Sequence, residues 1–342
     1  MGIKKLYKLL EKHFPESIKI KKISEYKGKK VAVDAYLILY QFLIAISGKN
    51  KKYFIDANGK NNGHIHIILN KTIFYLKNGI LPIYVWDGIP PDIKLDTLES
   101  RKKNKLKAKN IIDNLDKNDK NYIKYLKRTV SLKNSQINDC INLLNIMGIP
   151  YIKAVGEADS QCAALAISGL VDAVVSEDMD ILTFGSPILI KKISSKTKQI
   201  VEIKLNKILE KLCEKCSYDE SLNKFIDLCI LLKCDYCSNV VGIGPEKALK
   251  YIKKYGSIDN IKKNIENKKI NITNDYLKRC DKVKNYFRKT EIIDPEMLNI
   301  KWRSPNQYKL LRLLNKENNI KIEKINKFID LMEESKKLFN II

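Results

Sequence analysis

The chain has 342 residues, of which 44% are hydrophobic and 30% charged; that length and balance suit a globular α/β protein with ample core and exclude disordered and collagenous classes. Lys and Arg number 64 against 39 Asp and Glu, a net charge of +25 that calls for a polyanionic partner. Six of the basic residues are Arg, and Lys, Asn and Ile abound throughout, a bias that codon drift alone would give, so the placement of charge carries more weight than its sum.

The opening "MGIKKLYKLL" has neither the apolar core nor the cleavage site of a secretory leader, and Leu6 stands where an acylation signal needs Ser or Thr. The longest apolar run, Ala35–Ile46, is too short to span a bilayer, which argues against a membrane. The eight cysteines are therefore expected as reduced core thiols.

Three segments read as buried strands ending in acid: "KKVAVDAY" delivers Asp34, "LPIYVWDG" delivers Asp87, and "VDAVVSEDMD" delivers Asp178 and Asp180. Short β-rich runs without alternation predict central strands covered on both faces. Helical patterns fill the gaps, such as "SQINDCINLLNIMG" and "EADSQCAALAISG", the second closing at Gly169. The alternation predicts α/β architecture with a central, mostly parallel sheet flanked by helices, and ligands at the carboxyl ends of its strands. The stretch 47–63 reads as a loop excursion whose "DANG" lacks the glycine position and closing Glu of a calcium loop. From Lys94 to Lys133 thirteen basic residues face five acidic ones, which predicts exposed helices or an insertion. Beyond residue 205 the pattern is helical.

Three strands ending in carboxylates need a reason, because desolvating a charge is costly. Glu157 and Asp159 add two acids at the mouth of a helix, and Asp235 lies in "KCDYC". Gathered together, such acids demand neutralisation. Hard divalent cations with oxygen ligands supply it, and two such ions about 4 Å apart activate water and stabilise a leaving oxygen at a phosphodiester. His13, His64 and His66 lie away from these segments, which disfavours a histidine-based site. The pairs Cys213/Cys216 and Cys234/Cys237, seventeen residues apart, fit a four-cysteine zinc spacing. Without surrounding metal-binding loops that signal is weak, and the cysteines are expected to pack rather than bind zinc.

Seven motifs in order, "MGIKKLYKLL", "VAVDAYLILYQFLIA", "YVWDGIPP", "MGIPYIKAVGEADSQCAAL", "SEDMDILTFG", "FIDLCILLKCDYC" and "GIGPEKA", resemble those of the flap structure-specific endonucleases of eukaryotes and archaea over nearly the whole chain. The resemblance implies a PIN-like 5′ nuclease fold. Its regions would be an N-terminal nuclease region (1–108), a helical cap or arch (109–133), an internal nuclease region (134–232), a helix–two-turn–helix (233–275) and C-terminal helices on the same single domain (276–342). It implies that Asp34, Asp87, Glu157 and Asp159 serve one metal and Asp178, Asp180 and Asp235 the other. The metals would be two Mg²⁺, replaceable by Mn²⁺, with K⁺ at the helix–two-turn–helix. Lys94 and Arg101 would steer the scissile phosphate, a task for which the Arg fork is suited. Tyr40 would stack on a base at the junction, and Gly2 would pack beside the active site. Gly242, Gly244, Lys247 and Lys250 would hold duplex phosphates.

The implied activity is 5′ flap cleavage with associated 5′→3′ exonuclease action, in replication and long-patch repair, by a monomer acting on flap and double-flap DNA. Another 5′ nuclease of the superfamily, or a silent DNA-binding scaffold, are the alternatives. The implied location is a nucleus, with a cytoplasmic or organellar replication site as the other option. Three departures stand out: Lys233-Cys234 replaces a Gly-Ser pair, Asp159 replaces Glu, and Asn104 replaces a basic residue. The tail "LMEESKKLFNII" lacks the Gln anchor of a sliding-clamp motif, so clamp docking is not expected in its usual form.

Overall fold

A computed structural model describes residues 2–3, 5–47, 54–194, 196–265 and 270–340. The strands are β1 (Ile18–Lys22), β2 (Lys29–Asp34), β3 (Ile80–Trp86), β4 (Tyr151–Lys153), β5 (Ala173–Val175), β6 (Ile188–Ser194) and β7 (Gln199–Lys204). The helices of the first half are α1 (Leu6–His13), α2 (Ala35–Ile46), α3 (Gly63–Lys77), α4 (Leu95–Asp113), α5 (Tyr122–Thr129) and α6 (Asn134–Met147). Those of the second half are α7 (Ala158–Ile167), α8 (Leu205–Leu212), α9 (Tyr218–Leu231), α10 (Pro245–Tyr255), α11 (Ile258–Asn264), α12 (Asn274–Arg288), α13 (Gln307–Leu311) and α14 (Ile322–Phe339). The chain divides into two compact units: Met1–Glu25, Asp87–Thr97 and Ala154–Leu298 form one, and Tyr26–Trp86, Leu98–Lys153 and Asn299–Ile342 the other.

In the second of these, β2, β3 and β4 pair in parallel, with Asp34 opposite Val85 and Trp86 opposite Lys153. Every residue of β3 is buried, as expected of a strand covered on both faces. Helix α3 packs on α2, β3, α6 and α14. The Tyr84 hydroxyl shares a 2.9 Å hydrogen bond with Thr72, and the Trp302 indole donates to the Pro82 carbonyl at 3.2 Å, so these two aromatics bury their rings with the polar atom bonded. The buried Tyr75 hydroxyl and Trp86 indole N–H, by contrast, have no hydrogen-bond partner among the described residues. The basic stretch forms exposed helices, as expected: α4 buries Ala108 alone and α5 buries no residue. In the 47–63 excursion, residues 48–53 lie outside those described. The rest is a turn in which Asp56 Oδ1 accepts from the backbone N–H of Asn58 at 2.9 Å and of Lys60 at 2.7 Å.

His66 on α3 stacks edge-on against Phe54, 5.2 Å between centroids. Burial, with Lys324 and His64 adding to it, pushes its pKa down to about 4. The unfolded chain then takes up the proton first, so the stability due to neutral His66 is complete above the unfolded value near ~6.5 and is lost as pH falls toward 4. We expect His66→Gln to remove part of the acid destabilisation, on the order of 1 kcal/mol given its partial exposure, read as a smaller difference between melts at pH 7 and pH 4.5.

In the first unit, β5 and β6 pair in parallel, whereas β6–β7 and β7–β1 are antiparallel. The buried β5 matches expectation; the antiparallel strands do not follow from the sequence pattern, since "IKIKK" of β1 leaves Ile20 70% exposed. Helix α9 opens with a capping box, Ser217 and Glu220 each accepting from the other's N–H. It then buries Leu222, Phe225, Ile226, Leu228 and Ile230 while packing on α8, α10 and α12. Helix α7 ends with Gly169 at φ +77° just beyond its cap, as predicted.

The cysteines need one correction. Cys213 and Cys216 form a disulfide across a Cα–Cα distance of 5.5 Å, where reduced thiols were expected. The turn after α8 brings the two within bridging reach, and Lys224 Nζ lies 3.1 and 3.0 Å from their sulfurs. The other six are buried thiols.

Candidate active site

Six of the seven acids belong to the first unit. Asp87 follows the last residue of β3, and its Oδ1 accepts the N–H of Ala158, the first residue of α7, at 2.8 Å. Glu157 is the N-cap of that helix and Asp159 sits in its first turn, where the helix dipole favours negative charge. Asp178 and Asp180 follow β5. Ser176 Oγ accepts from Asp178 N at 3.1 Å, and Asp178 Oδ1 accepts from Asp180 N at 3.1 Å, so one carboxylate shapes the turn that presents the next. Asp180 Oδ1 accepts the N–H of Ile3 at 3.2 Å.

That contact explains Gly2. Its φ is +67°, and a Cβ there would lie 1.8 Å from Asp178 Oδ1 and 2.8 Å from Asp180 Oδ1. Any side chain would collide with both carboxylates, so the backbone approaches closely because this residue has none.

Asp178 is 8% exposed and Asp180 2%. Burial raises the pKa of Asp178. It raises that of Asp180 further, and Asp178 and Asp235 add to the effect. Lys94, in the turn after Pro91, pairs with Glu157 and stands 4.0 Å from Asp235 Oδ2. Burial alone would lower the Lys94 pKa; Glu157, Asp159 and Asp235 outweigh it and hold the ammonium above the ordinary lysine range. Thr97 donates its hydroxyl to the Asp235 carbonyl. The donors are all hard carboxylate oxygens, and at Asp87, Asp178 and Asp180 a neighbouring carboxylate adds to the rise that burial causes, which is the chemistry a divalent cation relieves. Among the described residues no three of these side chains are drawn into a closed cage. The four-cysteine zinc reading fails on geometry: Cys213 is bonded to Cys216, and Cys234 and Cys237 are buried facing each other across a single β-bridge.

Three expected residues belong to the second unit. Asp34 caps α2, accepting from Leu37 N at 2.9 Å; Tyr40 is half-buried on α2, and Arg101 is exposed on α4. The glycine turn 242–244 leads into α10, whose N-cap Gly244 brings no side-chain cap, so the first N–H groups face outward. A concavity of about 410 Å³ there is lined by Val240, Gly242, Ile243, Gly244, Pro245 and Lys247, among others. Lys247 donates to the Gly242 carbonyl at 3.2 Å. Lys247 and Lys250 are exposed and three residues apart, hence on one helix face.

Sequence reasoning missed three residues here. Tyr236 and Tyr286 donate to Glu157 Oε2 at 2.5 and 2.9 Å. Arg279 donates to the carbonyls of Tyr236 at 2.9 Å and Ile93 at 2.7 Å. Tyr236 stands next to Asp235 and could have been noticed; Tyr286 and Arg279 lie on α12 with no local signal.

The departure at Lys233 has a backbone cost. Its φ is +76°, a left-handed conformation that costs a non-glycine residue about 1–2 kcal/mol. The side chain is exposed, so little packing would be lost. After glycine's own entropy cost, we expect Lys233→Gly to stabilise the protein by roughly 0.5–1 kcal/mol in urea unfolding. An unchanged or lower midpoint would refute the strain.

Strand-end carboxylates with a largely enclosed lysine set among them make a site suited to a cation and an anionic substrate. Two family models match the chain, the XPG N-terminal domain over residues 1–108 and the XPG I-region over residues 148–235. Flap endonuclease 1 of Glycine max is 38% identical over 98% of this chain and 87% of its own length, and that of Brugia malayi is 37% identical over 98% and 88%. The solved flap endonuclease-1 of Methanococcus jannaschii superimposes with a TM-score of 0.69 at 28% identity, covering 94% of this chain and 96% of the other. The chain belongs to the flap endonuclease family.

Proposed function

We propose that the chain is a divalent-metal-dependent, structure-specific 5′ nuclease that cuts DNA at the base of a 5′ flap, in replication and long-patch repair. The observation that carries this reading is the buried run of carboxylates with the Lys94 ammonium set among them, in a chain of charge +25. Family kinship supports it.

Asp34, Asp87, Glu157, Asp159, Asp178, Asp180 and Asp235 would hold the cations, two Mg²⁺ or Mn²⁺, directly or through waters. Bound there, the cations would supply charge neutralisation and a more acidic water at the phosphodiester. The chain's own groups do the rest. Lys94 exchanges Glu157 for a phosphate oxygen and opposes the charge that develops on it. Arg101 adds a bidentate fork, and Tyr40 offers a ring face to the base at the junction. Gly2 keeps the first peptide flat against Asp178 and Asp180. The open N-terminus of α10, Gly242, Gly244, Lys247 and Lys250 hold duplex phosphates without reading bases, with K⁺ bound at the glycine turn. The region 109–133 serves as the cap over the flap. The protein works as a monomer in a nucleus.

The test is cleavage of a double-flap DNA with Mg²⁺ and with chelator, reading both ends of the cut. Cutting at the junction, leaving a 5′-phosphate and lost on chelation, is expected. No cutting, or cutting indifferent to chelation, would overturn the proposal.

A further inference from the structure

Glu157 is 6% exposed, and three donors meet its carboxylate. Lys94 takes Oε1; the phenols of Tyr236, at 2.5 Å, and Tyr286, at 2.9 Å, both take Oε2. A carboxylate oxygen has two lone pairs, so the phenols fill Oε2 and leave Oε1 as the exchangeable atom. When Lys94 leaves for a phosphate, a buried carboxylate without other donors would be left uncompensated and free to swing.

The phenols are well placed to prevent that. Tyr286 stands edge-on to Phe184, 5.7 Å between centroids at 79°, and 5.1 Å from the Tyr236 ring. Phe287 packs edge-on to Phe184 at 5.1 Å and to Tyr236 at 5.2 Å. Helix α12 carries both Tyr286 and Arg279, and through Arg279 it also grips the carbonyls of Tyr236 and of Ile93, the residue before Lys94. One helix therefore aims the second phenol and steadies the first.

We propose that Tyr286 is a positioning residue for the reaction: with Tyr236 it fixes Oε2 of Glu157, so that the carboxylate keeps its orientation toward the cation site while Lys94 moves to the substrate. This rests on the function proposed above. At neutral pH a phenol is an unionised donor, and it adds no charge to the site.

The test is Tyr286→Phe, which keeps the ring in its aromatic cluster and removes the hydroxyl. Mn²⁺ binding to the protein, followed by the resonance of free Mn²⁺, should weaken about tenfold, as loss of an outer partner does. The kcat on double-flap DNA should fall by a similar factor while the Kd for DNA stays within about twofold. In a Glu157→Gln background the same change should have no further effect. Unchanged Mn²⁺ affinity, or an equal loss in the Glu157→Gln background, would overturn the proposal. So would a lower melting temperature with Mn²⁺ affinity intact, since that marks a packing role. If the parent protein cut no flap, the proposed function would fall, and the Mn²⁺ titration would still decide the role of Tyr286.

Discussion

Asp178→Asn should lower flap cleavage by about a thousandfold or more and, without metal, make the protein more stable. The two effects have one cause. Asp178 is 8% exposed, and burial raises its pKa, so its charged form is held against a gradient that a cation would relieve. A carboxyl with a raised folded pKa contributes stability that is complete below its unfolded value near ~4 and is lost as pH rises through the folded one. At neutral pH the metal-free protein therefore carries a penalty. Asn keeps the Oδ1 that accepts the Asp180 N–H at 3.1 Å and removes the charge. The metal-free melting midpoint should rise by about 2 °C, the size of shift that ~1 kcal/mol gives in a chain this long. Mg²⁺ should raise the midpoint of the parent and move the variant little. A variant that cut at the parental rate, or that melted lower than the parent without metal, would contradict this account.

Lys94→Gln should slow the chemical step by about 10²–10³-fold while leaving DNA affinity nearly unchanged. The Lys94 side chain is 14% exposed, paired with Glu157 and 4.0 Å from Asp235 Oδ2, which puts it among the acids rather than on the exposed face of α10. One phosphate contact among many alters binding only slightly, whereas one preorganised charge at the reacting phosphate alters the rate strongly. Single-turnover cleavage separates the two, with fluorescence anisotropy for the DNA. A rate loss explained wholly by weaker binding would place Lys94 in the grip instead.

What was legible in the sequence is where these acids fall on the secondary structure, because they have local signatures. A β-rich run ending in Asp placed Asp34, Asp87 and Asp178 at strand ends, and "GEADS" placed Glu157 and Asp159 at the mouth of a helix. Those patterns follow from chain geometry: strand ends and helix N-termini are where a polar group meets an edge. Tyr286 and Arg279 obey no such rule. They reach Glu157 and Asp96 across 129 and 183 residues, and the sequence around them reads as an ordinary amphipathic helix. The antiparallel strands β1 and β7 escaped for a related reason, since their charged, half-exposed faces resemble surface helix as much as strand. Lys233 shows the opposite case. Its unusual backbone is visible only in the structure, yet the departure from the family's Gly-Ser pair had already marked the position as out of pattern.

The first unit is assembled from three separated stretches, with Ile3 bonded to Asp180 and Lys94 to Glu157. During synthesis the amino-terminal segment must wait on the ribosome until Asp180 has emerged before its partner exists. The second phenol on Glu157 arrives only with residue 286. The nascent protein therefore stays without a finished centre through most of translation, and no contiguous fragment shorter than 3–286 carries all of these contacts. A fragment ending at residue 108 would keep Asp87 and Lys94 but lack Ala158 and Glu157, the groups they bond.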